Sequence, residues 1–202
     1  MNIKDGKLLY HLTTLNVFES IVKNGLLSWG ELNKRNLNFV DTANHDILAG
    51  RERLDLSNYI PFHFHIHTAY DTSVKQTHTD KNFIYLRLNR RYAIDNGFKI
   101  LSIHPTSLEQ PQLFDYNEGF SKIDWSIMEM TISEAEKNSI DKRLHKQIRM
   151  AECLSPNSIP ICDFQSVLVK NEQSRKYVED VFSKYKIAKT PFIDIDIDSK
   201  YF

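Results

Sequence analysis

Several things are scarce in this chain, and each scarcity excludes something. Cysteine occurs twice in 202 residues, at Cys153 and Cys162, so neither a disulfide framework nor a C-x-x-C metal knuckle is available. Glycine and proline number six each and stand apart as punctuation, so nothing reads as a linker and one domain over residues 1–202 is expected. No run of 18 apolar residues exists, which excludes a helical membrane span of ordinary length. The opening MNIKDGKLLY has neither an apolar core nor a small-residue cleavage site, so no signal peptide is expected and the cytoplasm is the default. Surplus charge is absent too: 26 Lys plus Arg balance 26 Asp plus Glu. Any hold on nucleic acid must therefore come from a local patch. The phosphate-cradling patterns GxGxxG and GxxxxGK[ST] are missing, as is the G-x-S-x-G nucleophile elbow.

What is present is a chain able to fold around a core, 41% hydrophobic and 11% aromatic. KLLYHLTT (7–14) reads as a strand, and TLNVFESIVKNG follows with Leu15, Phe18, Ile21 and Val22 at helical spacing and Gly25 placed to stop it. HDILAGRER and AYDTSVKQ read as short helices around the strand NYIPFHFHI. NFIYLRL and FKILSIH read as strands separated by a helix at RRYAIDNG, with Pro105 ending the second. Residues 105–120 read as loop; DWSIMEMTISEA and DKRLHKQI read as helices. RMAECLS and QSVLVK read as strands, EQSRKYVEDVFSKY as an amphipathic helix, and FIDIDID as an edge strand. Short strands without regular βαβ alternation favour an α+β fold over a doubly wound sheet.

Chemistry concentrates in a few stretches. In YIPFHFHIHTAY, strand alternation sends Phe62, Phe64 and Ile66 to one face and His63, His65 and His67 to the other. Three imidazoles on one face fit zinc, a substrate cleft or a solvated surface, and the strand alone leaves all three open. His11 and Thr13 at the end of the first strand can hydrogen-bond a ribose or an amide, or simply belong to a strand whose Thr14 caps the next helix. Arg51 and Arg53 precede an apolar strand, where an arginine can clamp a phosphate or be solvated. Glu152 interrupts an apolar strand; alternation puts Met150, Glu152 and Leu154 on one face. A carboxylate there can stabilise positive charge or act as a base, or pair with Arg149 or Arg143. Lys142, Arg143, His145, Lys146 and Arg149 form a basic run, and Arg87, Arg90 and Arg91 a second. Tyr116, Phe120 and Trp125 can stack on a base or anchor a loop; Cys153 reads as a small core residue.

Taken in order, YHLTTLNVFESIVKNGLL, HDILAGR, YIPFHF and KIDWSIM with RMAECLSP resemble the DarT family, toxins that transfer ADP-ribose from NAD to a base of single-stranded DNA. The resemblance spans residue 8 to about residue 170. It implies an ADP-ribosyltransferase fold, a split and mostly antiparallel sheet with surrounding helices. It implies Glu152 and Arg51 as catalytic, with Arg53 the alternative arginine. It implies NAD as co-substrate, held by His11 and Thr13 with Tyr10, Asn16, Gly25 and Leu26 nearby, and no metal. His63, His65 and His67, with Lys75 and Arg149, would face the acceptor strand, and burial of Glu152 would raise its pKa. A macrodomain antitoxin is the implied partner, in a toxin–antitoxin or phage-defence system. HIHTAYDTSVK replaces the Pro-Arg-Ser segment of thymidine-modifying members, so the chain looks more like the guanine-modifying branch. An RNA or protein acceptor, a nucleotide-binding module without transfer, and a histidine-metal nuclease are the competing readings.

Overall fold

The computed structural model describes residues 2–37, 45–107, 111–187 and 194–202. Among them, eight strands form one sheet: β1 (Leu8–Thr14), β2 (Ile60–His63), β3 (Phe83–Asn89), β4 (Lys99–Leu101), β5 (Leu113–Asp115), β6 (Glu152–Ser155), β7 (Ser166–Val169) and β8 (Asp194–Ile197). Their spatial order is β5-β4-β6-β2-β1-β3-β7-β8. Every neighbouring pair is antiparallel except β7 and β8, which run parallel.

The sheet is split at its centre. β1 pairs with β3 over seven residues, from Leu8 opposite Asn89 to Thr14 opposite Phe83. Against β2 it makes one pair, Tyr10 with His63. Pro61 explains the difference. A residue in an antiparallel ladder presents its N–H and C=O to the same neighbour, and proline has no N–H. The carbonyl of Pro61 faces β1 and is met by the His11 side chain, with Nδ1 2.8 Å away. The missing N–H therefore falls on the same edge, and the ladder cannot close there.

On one face of the sheet the main core packs Leu9, Phe62, Leu86, Leu88, Ile100 and Cys153 against helices α1 (Phe18–Asn24) and α10 (Glu172–Lys184). Phe18 and Phe182 bring these helices together, ring centres 5.5 Å apart, and both are buried. Each such phenylalanine contributes about 2 kcal/mol by burial. Gly25 ends α1 at φ +79°, and a Cβ there would meet the Ile159 carbonyl oxygen at 2.9 Å. The close approach lets Leu26 and Ile159 bridge, Leu26 N–H donating at 2.8 Å.

Five expectations need correction. The strand at 59–67 stops at His63, and His67 has φ +64°, so the histidines do not alternate along one face. The stretch 105–120 holds β5 and the start of α6 (Tyr116–Lys122). The segment 124–135 is two helices, α7 (Trp125–Glu129) and α8 (Ile132–Lys137), because Thr131 and Glu134 form a capping box that starts the second. Met150 belongs to the turn after the helix Lys142–Arg149, so it shares no strand face with Glu152. Thr14, read as a cap, instead donates its hydroxyl to Asn16 Oδ1 at 2.5 Å. The edge strand near the C-terminus is present as β8; its expected first residues, 192–193, lie outside the described residues.

Candidate active site

Directly opposed residues in a ladder project to the same face. The registers place Leu101, Glu152, His63, Tyr10, Arg87 and Ser166 in one row across β4, β6, β2, β1, β3 and β7. Glu152 is second in that row, next to His63, and 3% exposed. A carboxylate so deep requires a counter-charge. Arg51 supplies it from α3 (His45–Arg53): Nη1 donates to Glu152 Oε2 at 2.7 Å. Its Nη2 donates to the carbonyls of Leu56 and Tyr59, both at 3.3 Å, which aims the guanidinium. Arg53, the alternative, is exposed and donates to the Pro105 carbonyl at 3.0 Å. The structure thus separates the two arginines, and Arg51 is the one at the carboxylate.

The expectation that burial raises the Glu152 pKa is overturned. Burial does push the carboxyl up, but Arg51, with smaller contributions from His104 and His63, outweighs it and holds the group below the ordinary carboxylate value. Glu152 is therefore an anion suited to opposing positive charge and is a weak proton acceptor.

His11 reaches across the split on the face of the sheet opposite the row that holds Glu152. Because a carbonyl only accepts, Nδ1–H must donate to Pro61, which leaves the lone pair on Nε2. Burial pushes the ring's pKa down to about 4, so it is neutral at neutral pH. The resemblance to a family did not point to His104, yet it is buried and electrostatically coupled to both Glu152 and Arg51. Thr106 occupies its Nδ1, with the hydroxyl 2.8 Å and the backbone N–H 3.3 Å away. Its loop is fastened on two sides: Arg53 to the Pro105 carbonyl, and Gln147 Nε2 to the Thr106 carbonyl at 3.3 Å. The one signal in the sequence was a histidine placed just before the proline that ends a strand.

The other expected residues scatter. His63 stays in the row, His65 turns under the end of α9 (Lys142–Arg149) with Nε2 2.9 Å from the Arg149 carbonyl, and His67 is exposed with its ring against Tyr201. Arg149 and Lys75 are turned inward. Arg149 donates to the carbonyls of Met128 and Met130, and Lys75 donates to Tyr85 Oη and the Tyr201 carbonyl. Tyr10 packs its ring edge against Tyr85; Thr13 pairs with Ile84 in the ladder; Asn16 is exposed beside Thr14; Gly25 and Leu26 form the bridge to Ile159. Among the described residues, no three His, Cys, Asp or Glu side chains are grouped to hold a metal ion, and no helix is long and apolar enough to cross a membrane.

A split antiparallel sheet with a buried, arginine-paired glutamate beside the split can oppose a developing positive charge. The family model described as ssDNA thymidine ADP-ribosyltransferase, DarT, matches residues 10–202. The chain belongs to the DarT family. DarT proteins are NAD-dependent DNA ADP-ribosyltransferases. The fold agrees. The chain superposes on Thermus sp. 2.9 DarT in complex with ADP-ribosylated ssDNA with a TM-score of 0.77 at 14% identity, covering 97% of this chain and 96% of that one. Thermus sp. 2.9 DarT in complex with NAD+ gives 0.72 at 14% identity, covering 98% of each chain. Thermosipho africanus DarTG in complex with ADP-ribose gives 0.70 at 16% identity, covering 98% of this chain and 51% of that one. The ADP-ribosyltransferase fold expected for the chain is the one it has. No curated protein sequence matches it.

Proposed function

We propose that residues 1–202 act as one domain that transfers ADP-ribose from NAD to a base of single-stranded DNA. The observation that carries the reading is the Arg51–Glu152 pair, 2.7 Å apart and almost wholly buried, at the split of the sheet. Displacing nicotinamide leaves positive charge on the ribose carbon. An anion already desolvated and held in place needs no reorganisation to oppose that charge. Glu152 has this role, and Arg51 fixes it and meets the NAD phosphates or the acceptor base. His11, through Nε2, accepts from a hydroxyl or amide of NAD; Tyr10, Thr13 and Asn16 stand on the same strand and the turn after it, with Gly25 and Leu26 behind them. NAD is consumed as co-substrate, and no metal takes part.

His63 and His67 are the histidines placed to meet the acceptor strand. His65, Lys75 and Arg149 support the segments around it. Guanine is the acceptor we favour, because the segment after β2 departs from the thymidine-modifying pattern; the family description names thymidine. A macrodomain partner that removes the modification would make the chain the toxin of a cytoplasmic toxin–antitoxin pair acting in phage defence. The named neighbour Thermosipho africanus DarTG supports pairing with an antitoxin. The test uses oligonucleotides carrying a single guanine or a single thymine, with RNA counterparts, incubated with NAD and sequenced by tandem mass spectrometry. Modification of the guanine oligonucleotide alone is expected. Modification of the thymine one alone removes the guanine assignment, and modification of RNA alone removes DNA as the acceptor.

A further inference from the structure

Transfer to a base nitrogen needs a proton acceptor, and Glu152 is poorly suited to that task. The new bond joins the base nitrogen to the ribose carbon as the bond to nicotinamide breaks. Nicotinamide leaves neutral, so the proton on the attacking N–H must go to the protein or to water. Glu152 is tied to Arg51 and held ionised below the ordinary carboxylate value.

The histidines around it can be sorted by their lone pairs. His104 has its Nδ1 occupied by Thr106, whose hydroxyl lies 2.8 Å and backbone N–H 3.3 Å away, and burial pushes its pKa to about 4. His65 faces carbonyl oxygens with both ring nitrogens, Ile66 at 2.7 Å and Arg149 at 2.9 Å, so its one proton and its lone pair are both directed into the backbone. His11 has its lone pair on Nε2, but burial pushes its pKa to about 4, too low for an effective base at neutral pH. It also projects from the residue next to Tyr10, to the other side of β1 from the row that holds Glu152.

His63 is different. It is the register partner of Glu152 and projects to the same face. Its Nδ1 lies 3.3 Å from the Ala151 carbonyl, so Nδ1 carries the proton and the lone pair stands on Nε2. It keeps 9% of its surface exposed where Glu152 keeps 3%, so it is the more open of the two. Glu152, His104, His11 and His65 are coupled to it electrostatically, and the Tyr70 ring packs beside it with centres 6.3 Å apart.

We propose that His63 is a further catalytic residue, the general base that takes the N–H proton of the acceptor base through Nε2 as that nitrogen bonds to the ribose carbon. This deepens the transferase reading and rests on it. The Ala151 carbonyl then holds the imidazolium that forms, and Glu152 across the ladder stabilises it, so one carboxylate opposes both charges that develop.

The experiment compares wild type with two variants, His63→Gln and His63→Phe, by single-turnover transfer from NAD to an oligonucleotide. Glutamine keeps a donor for Ala151 and an acceptor for the substrate but does not take a proton; phenylalanine keeps the ring alone. Both are expected to lose about 100-fold in kcat. A His63→Gln variant that keeps the wild-type kcat overturns the proposal, as does a loss confined to the oligonucleotide KM. If wild type itself leaves every oligonucleotide unmodified, the transferase reading fails first. An active wild type with an equally active His63→Gln leaves that reading standing and removes the base.

Discussion

β1 has two neighbours and treats them differently. Against β3 it makes seven ladder pairs; against β2 it makes one. The first junction is frame: Leu9, Leu86 and Leu88 are fully buried along it. The second is left open by Pro61, and a side chain, His11, replaces a ladder bond. The open junction carries the chemistry because an unclosed ladder leaves room beside the row of Glu152, His63 and Tyr10. It also concentrates ionisable groups where their charge states depend on one another. The well-paired junction holds its strands by backbone alone and needs no such groups.

The comparison breaks most sharply at Glu152. We predict that Glu152→Gln lowers kcat for transfer about 1,000-fold. Leaving Arg51 buried without its partner also costs about 3 kcal/mol in urea unfolding. A variant that keeps more than a tenth of wild-type kcat removes Glu152 from the chemistry. Next is Arg51→Met, expected to lose about 100-fold in kcat and to reverse a pH dependence. In wild type the lowered carboxyl contributes stability above the ordinary carboxylate pKa, and loses it as pH falls through the depressed value. Without Arg51, burial outweighs the smaller opposing contributions of His104 and His63 and raises the carboxyl. Its contribution is then full below the ordinary value and lost as pH rises through the raised one. Urea midpoints from pH 4 to 8 should slope downward with rising pH relative to wild type; an unchanged slope contradicts the pairing.

A smaller effect comes from the histidines. His11, His65 and His104 are all pushed by burial to about 4, from an ordinary 6.5. The unfolded chain therefore binds more protons between those values, and stability is lost as pH falls from about 6.5 to about 4. Melting temperature should fall across that window. His11→Gln, whose amide still donates to Pro61, should fall less; an identical fall means that His11 is not buried neutral. The smallest effect is expected of Arg53→Ala. It removes a hydrogen bond to the Pro105 carbonyl worth about 1 kcal/mol and lies outside the carboxylate pair. Its kcat should stay within about fivefold of wild type, which sharpens the contrast with Arg51.

Much of the frame was legible because it repeats. The alternation of KLLYHLTT, the helical spacing after it and the amphipathic stretch 172–184 are periodic, and their elements appear as β1, α1 and α10. Glu152 was legible as a carboxylate inside an apolar strand. The open junction was harder to read. Period-two spacing carried the strand on to His67, but after His63 the backbone bends, and Ile66 joins Tyr85 and Leu168 in a different cluster. Lys75 and Arg149 look like phosphate ligands by charge alone, yet backbone carbonyls far away in the chain hold them. The direction of the Glu152 shift depends on a partner 101 residues away, which no local pattern contains.

The most direct measurement is the intact mass of a single-stranded oligonucleotide after incubation with NAD and either wild type or Glu152→Gln. We predict the addition of one ADP-ribose by wild type and none by the variant over the same time. Equal modification by the two proteins contradicts the assignment of the buried pair as the centre of the reaction.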